Sequence, residues 1–80
     1  MKLTLVRTSD KNPVRFKAQG GYIRYDREWL ARDEVTGHYL SDNRRTPYRA
    51  GSKKALAHVA EVLSNLPVAE IKGFRLIPPL

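Results

Sequence analysis

Eighty residues, 41% of them hydrophobic, are enough for one small domain, residues 1–80, and too few for two. A chain of this length buries only about 60% of its unfolded surface, so its core must come from two or three packed elements or from a partner. Fifteen Lys and Arg against eight Asp and Glu leave a net charge of +7, and the lack of cysteine excludes disulfides and thiolate metal sites.

Taken in chain order, residues 2–7 place Leu3 and Leu5 on one face, the period of a strand. Ser9-Asp10-Lys11-Asn12-Pro13 is a cluster of turn formers. Val14-Arg15-Phe16-Lys17-Ala18 then alternates, apolar at 14, 16 and 18 and basic at 15 and 17, which predicts a half-buried strand with a basic outer face. Gly20-Gly21 breaks it, and Tyr22-Ile23-Arg24-Tyr25 resumes strand composition. Over residues 28–35, Trp29, Ala31, Asp33 and Val35 share one face, while Leu30 and Arg32 share the other. Thr36-Gly37 predicts a tight turn into His38-Tyr39-Leu40. Residues 22–40 are therefore expected to form two or three antiparallel strands of a meander.

Residues 41–51 are polar and predict a loop. Ser52 is a good N-cap for a helix from Lys53 to about Asn65, in which Leu56, Val59, Leu63 and Leu66 form one buried stripe with Ala60 beside it. Pro67 ends the helix, and residues 73–77 predict a short edge strand before Pro78-Pro79. The expected fold class is α+β: an antiparallel sheet of three to five strands packed on one amphipathic helix, with a short C-terminal strand. The sheet face away from the helix is expected to be wet and charged. The apolar runs are only a few residues long, so no membrane span is expected, and the start lacks the apolar stretch of a signal peptide. A cytoplasmic location is the default reading.

Charge directs the search for a site. Arg44, Arg45, Arg49, Lys53 and Lys54 stand together with no acidic residue between them. Two lysines in the first helical turn oppose the helix dipole, whereas the free N–H groups there suit a phosphate oxygen. Gly51-Ser52-Lys53-Lys54 lacks the upstream glycine of a nucleotide-binding P-loop. A second group interleaves aromatic and basic residues: Tyr22, Tyr25, Trp29 and Tyr39 among Arg24, Arg27 and Arg32. Such side chains can stack on bases or enter a groove, although Tyr and Trp also fill small cores, and core packing is the first expectation for Trp29.

Catalytic chemistry has little support. His38 and His58 lie on different elements, Asp33 and Glu34 point to opposite faces of a strand, and no H-E-x-x-H, G-x-S-x-G or dinucleotide fingerprint occurs. No catalytic residue, metal ligand set or cofactor is expected. The apolar tail, with Phe74, Leu76, Ile77 and Leu80, is expected to pack back on the domain, to add a strand to a partner or to seal a homodimer, so monomer and homodimer both stay open.

Tyr22-Ile23-Arg24-Tyr25, Glu28-Trp29-Leu30-Ala31-Arg32-Asp33, Thr36-Gly37, Tyr48 and the helix opening at Ser52 together resemble the AP2-type domain and the related amino-terminal domains of phage integrases. The resemblance covers residues 22–60. It implies three antiparallel strands packed on one helix, with the sheet laid against DNA and contacts from Arg24, Trp29, Arg32 and Tyr39. The loop over residues 41–51 is longer than that family's usual connection, and the spacing of Tyr48 to Ser52 departs from it.

The expected function is non-catalytic nucleic-acid binding, DNA ahead of RNA, through a basic sheet face and the basic loop at the helix N-terminus. The alternative is a small regulator or inhibitor of the phage type that binds an acidic surface of a host protein. Arg, Tyr and Trp anchor protein interfaces as readily as nucleic-acid ones.

Overall fold

Alternating side chains build six short strands and one amphipathic helix among the described residues, 1–42 and 45–80, of a computed structural model of the protein. The strands are β1 (Leu3–Arg7), β2 (Val14–Ala18), β3 (Gly21–Tyr25), β4 (Trp29–Asp33), β5 (Tyr39–Ser41) and β6 (Arg75–Ile77); the helix is α1 (Lys53–Ser64). A four-stranded antiparallel sheet has the order β1-β4-β5-β6, and β2 and β3 form a separate two-stranded hairpin. The helix covers one face of the large sheet and the hairpin covers the other. The α+β class is as expected, but the layering is not.

The helix layer follows from its own sequence. Ser52 is the N-cap, and its Oγ accepts the N–H of Ala55 at 3.1 Å. Leu56, Ala60 and Leu63 are buried against Leu3 and Leu5 of β1, Ala31 of β4, Leu40 of β5 and Ile71. Alanines at 31 and 60 leave room for helix and sheet to approach closely. At the other end of the helix, the Ser64 hydroxyl donates to the Ala60 carbonyl at 2.6 Å and accepts the Leu3 N–H at 3.0 Å, pinning the helix to the first strand.

The opposite face is covered over Leu30 and Tyr39, while Arg32 stays exposed on it. Phe16, Tyr25, Leu30 and Tyr39 form a second buried cluster, flanked by Val14 and Ile77. Phe16 stands edge-on to Tyr39, with ring centroids 5.3 Å apart, and 5.6 Å from Tyr25. Two expectations are corrected here. Strand β3 pairs with β2 and not with β4, so of the two or three antiparallel strands expected over residues 22–40 only β4 and β5 pair with each other, and the three-strand unit implied by the resemblance does not form. The cause lies in the turn: Gly20 takes φ +81° and closes a two-residue loop between Ala18 and Gly21, so Gly20-Gly21 joins two strands where it was expected only to interrupt one. Likewise β4 stops at Asp33, and Val35 lies in the following turn at 85% exposure.

That turn is organised by Asp33, itself 3% exposed. Its Oδ2 accepts the Thr36 hydroxyl at 2.8 Å and the Thr36 N–H at 3.3 Å, while Gly37 closes the backbone at φ +75°. Burial pushes this carboxyl upward. The hydrogen bonds from Thr36, joined by the backbone amides of Val35 and Lys2, outweigh it and hold the group below the usual Asp value.

The final strand completes this sheet: Tyr39 faces Ile77 and Leu40 faces Leu76. Phe74 meets Tyr48 edge-on, with centroids 5.2 Å apart, and the Leu80 N–H reaches the Arg15 carbonyl at 2.7 Å, so the tail packs on its own domain. No helix of the described residues is long and apolar enough to cross a membrane.

Candidate nucleic-acid interface

The end of β1 and the start of β4 are locked together before any site can form. The Thr8 N–H donates to the Glu28 carbonyl at 2.8 Å, and the Glu28 N–H donates back to the Thr8 hydroxyl at 2.9 Å. Thr8 is 2% exposed, so this reciprocal pair is sheltered from water. It sets Arg7 directly opposite Trp29 on the helix face of the sheet. The helix N-terminus arrives at the same place. The result is an open cleft of ≈ 230 Å³, lined among others by Arg7, Arg27, Trp29, Arg49, Ser52 and Lys53.

Trp29 is the centre of the cleft. The Lys53 ammonium lies over its ring at 4.2 Å from the centroid, and the Arg7 guanidinium at 5.7 Å. A ring's negative face attracts each cation, but the two cations repel one another. Among the described residues neither forms an ion pair. The other two cations are held by carboxylates. Arg49 grips Glu28 with two nitrogens, at 2.7 and 3.1 Å, and lies 4.8 Å over the Tyr25 ring. Arg27 grips Asp10 with two nitrogens, and its hydrogen bond, aided by the charges of Arg27 and Arg24, holds the Asp10 carboxyl below its ordinary value despite the opposing pull of burial. Arg27 adopts φ +51°, unusual for a side chain of its bulk.

The sequence-predicted residues are divided by this geometry. Trp29, Arg49 and Lys53 come together in the cleft; Trp29 is only half-buried, touching both the helix-side core and the cations. Lys54 is exposed on the next helix position and does not line the cleft. Arg24 sits on the outer face of the hairpin, where it donates to the Asp10 carbonyl at 3.1 Å and pairs with Asp26 at 3.3 Å. Arg32 is exposed on β4, on the face away from Trp29. Arg45 lies elsewhere, on the rim of an apolar groove of ≈ 710 Å³ whose lining includes Phe16, Ile23, Ile77 and Pro78. Arg44 lies outside the described residues. Among the described residues of the expected clamp over 44–54, Arg49 and Lys53 meet in the cleft, while Arg45 and Lys54 do not line it. Tyr39 is corrected outright: at 4% exposure, packed on Phe16, it is a core residue and offers no ring to a partner.

Arg7 was not among the sequence candidates, and Arg27 stood in the aromatic and basic group without being chosen as a contact. The signal for Arg7 was present in its strand, since Leu3, Leu5 and Arg7 share a face and a cation ends an otherwise apolar row. Comparison of the chain with protein-family models, with curated protein sequences and with solved structures found no match.

Proposed function

We propose that the protein is a non-catalytic nucleic-acid-binding domain that takes backbone phosphate in the Trp29 cleft. The observation that carries this reading is the pair of cations, Arg7 and Lys53, set over one indole and, among the described residues, in no ion pair; Glu28, a carboxylate that also lines the cleft, is held by Arg49. A phosphate entering between them relieves their repulsion. The Ser52 cap uses the Ala55 amide and leaves the first-turn amides of Lys53 and Lys54 without an intrahelical partner, in line with an anion beside them. Arg49 and Arg27, already oriented by their carboxylates, widen the positive surface at little further ordering cost. The net charge of +7 draws a polyanion to this surface.

Fluorescence anisotropy of labelled duplex DNA, single-stranded DNA and RNA at two salt concentrations tests the proposal. The expected result is binding that weakens steeply with salt. Arg7→Ala combined with Lys53→Ala should weaken all ligands and make the salt dependence shallower by about 0.9 log units per lost phosphate contact. Failure to bind any of the three at low salt would remove the reading.

The apolar groove favours a second reading, a small regulator that binds an acidic protein surface. Its floor includes Phe16, Ile23 and Ile77, and its rim carries Lys17, Arg45 and Arg75. Binding through this groove would survive moderate salt and depend on apolar side chains, not on Arg7 and Lys53.

A further inference from the structure

We infer that the β2–β3 hairpin is a groove-reading element that lies in the major groove of duplex DNA, with Arg15, Lys17, Tyr22 and Arg24 facing the base edges. This rests on the reading of the Trp29 cleft as a phosphate site and adds to it the class of nucleic acid and the way it is read.

The register makes the argument. In the hairpin, Val14, Phe16 and Ala18 stand opposite Tyr25, Ile23 and Gly21 on the inner face. The outer face then carries Arg15 opposite Arg24 and Lys17 opposite Tyr22, and all four are exposed. Neither strand contains an acidic residue. Like charges directly opposite each other on a strand pair destabilise it, so the Arg15–Arg24 pairing works against the fold. Partial compensation comes from outside the strands: Arg24 reaches Asp26 and the Asp10 carbonyl, and Arg15 lies 5.4 Å over the Tyr22 ring. Tyr22 remains 56% exposed, a ring left out of the core on a face of three cations.

The shape of this face selects its partner. Two strands about 4.8 Å apart, with side chains, fit a major groove about 12 Å wide; they are too broad for a minor groove of about 6 Å. The major groove of an RNA duplex is deep and narrow and excludes them. Arginine matches the paired acceptors of guanine, and a tyrosine ring meets the thymine methyl. The aromatic cluster beneath, with Phe16 1% exposed, keeps the ribbon rigid. Asp10 joins this face to the cleft, since it holds Arg24 through its carbonyl and Arg27 through its carboxylate.

The test uses the full chain, duplex DNA and duplex RNA of one sequence, and two competing dyes. Methyl green, which occupies the major groove, should compete with the protein; netropsin, which occupies the minor groove, should not. The wild type should prefer the DNA duplex to the RNA duplex. Arg15→Thr combined with Tyr22→Thr should lose that preference and about tenfold in DNA affinity, with a melting temperature no lower than that of the wild type. A variant destabilised by the change is replaced by Lys17→Thr, for which the same loss of preference is expected. Retained DNA binding with netropsin competing and methyl green inert would overturn the inference and leave the cleft reading intact. Absence of binding to every nucleic acid would overturn both.

Discussion

The helix closes one face of the central sheet with aliphatic side chains, and the hairpin closes the other with aromatic ones. The helix layer is held by a contiguous segment whose cap, stripe and stop all lie within a few turns. The hairpin layer is held by residues from four strands, and a two-stranded hairpin alone is at best marginally stable in water. Its stability is therefore borrowed from the sheet it covers. The same difference separates the charges. On the helix side the cations crowd a half-buried indole; on the hairpin side they stand on an exposed ribbon whose apolar anchorage is on its other face.

The largest perturbation of this contrast is Phe16→Ala, which removes the ring that touches both Tyr25 and Tyr39. The expected cost is about 3–5 kcal/mol, a large share of a small domain's stability. Trp29 fluorescence reports the helix side and amide exchange in β2 and β3 reports the hairpin. If the layers fold as one unit, both signals lose protection together. Faster exchange in the hairpin with an unchanged Trp29 transition would show two layers of separate stability.

Acid should act at the β4–β5 turn. The folded Asp33 carboxyl lies below its unfolded value, so its contribution is fully present above the unfolded pKa of about 3.9 and is lost as pH falls through the lower, folded one. Asp33→Asn should therefore lower stability near neutral pH and flatten its decline in acid, as read by urea denaturation at several pH values. An unchanged acid limb would mean that other carboxylates dominate.

The smallest effect is expected from Lys54→Glu, which touches only the helix layer. With no acidic residue now in the first turn, the exchange should stabilise the helix by about 0.3–1 kcal/mol through the dipole. Thermal melts should show a small rise, and hairpin exchange should not change. A fall in melting temperature would mean that Lys54 makes a contact more valuable than the dipole gain.

Much of the local structure was legible in the sequence. The helix stripe, the Ser52 cap and the alternation of residues 14–18 follow from periods of 3.6 and 2, which a single segment displays without help from the rest. Pairing was not legible, because alternation says that a strand has two faces and does not say which strand lies beside it. The clue to it is the apolar pair Leu30 and Tyr39 on the face expected to be wet; both need a cover, and β2–β3 supplies it. The site was half legible. Lys53 and Arg49 were found through local charge, whereas Arg7 joins them only through the β1–β4 register and Arg27 only through its reach to Asp10.

Arg27 is where two demands on one position pull apart. Its left-handed backbone asks for glycine, while the clamp on Asp10 and the wall of the cleft ask for a long cation. Selection for a sturdier fold and selection for a stickier surface would choose different residues at position 27. The arginine found there marks a compromise written into the chain's shape as well as its charge.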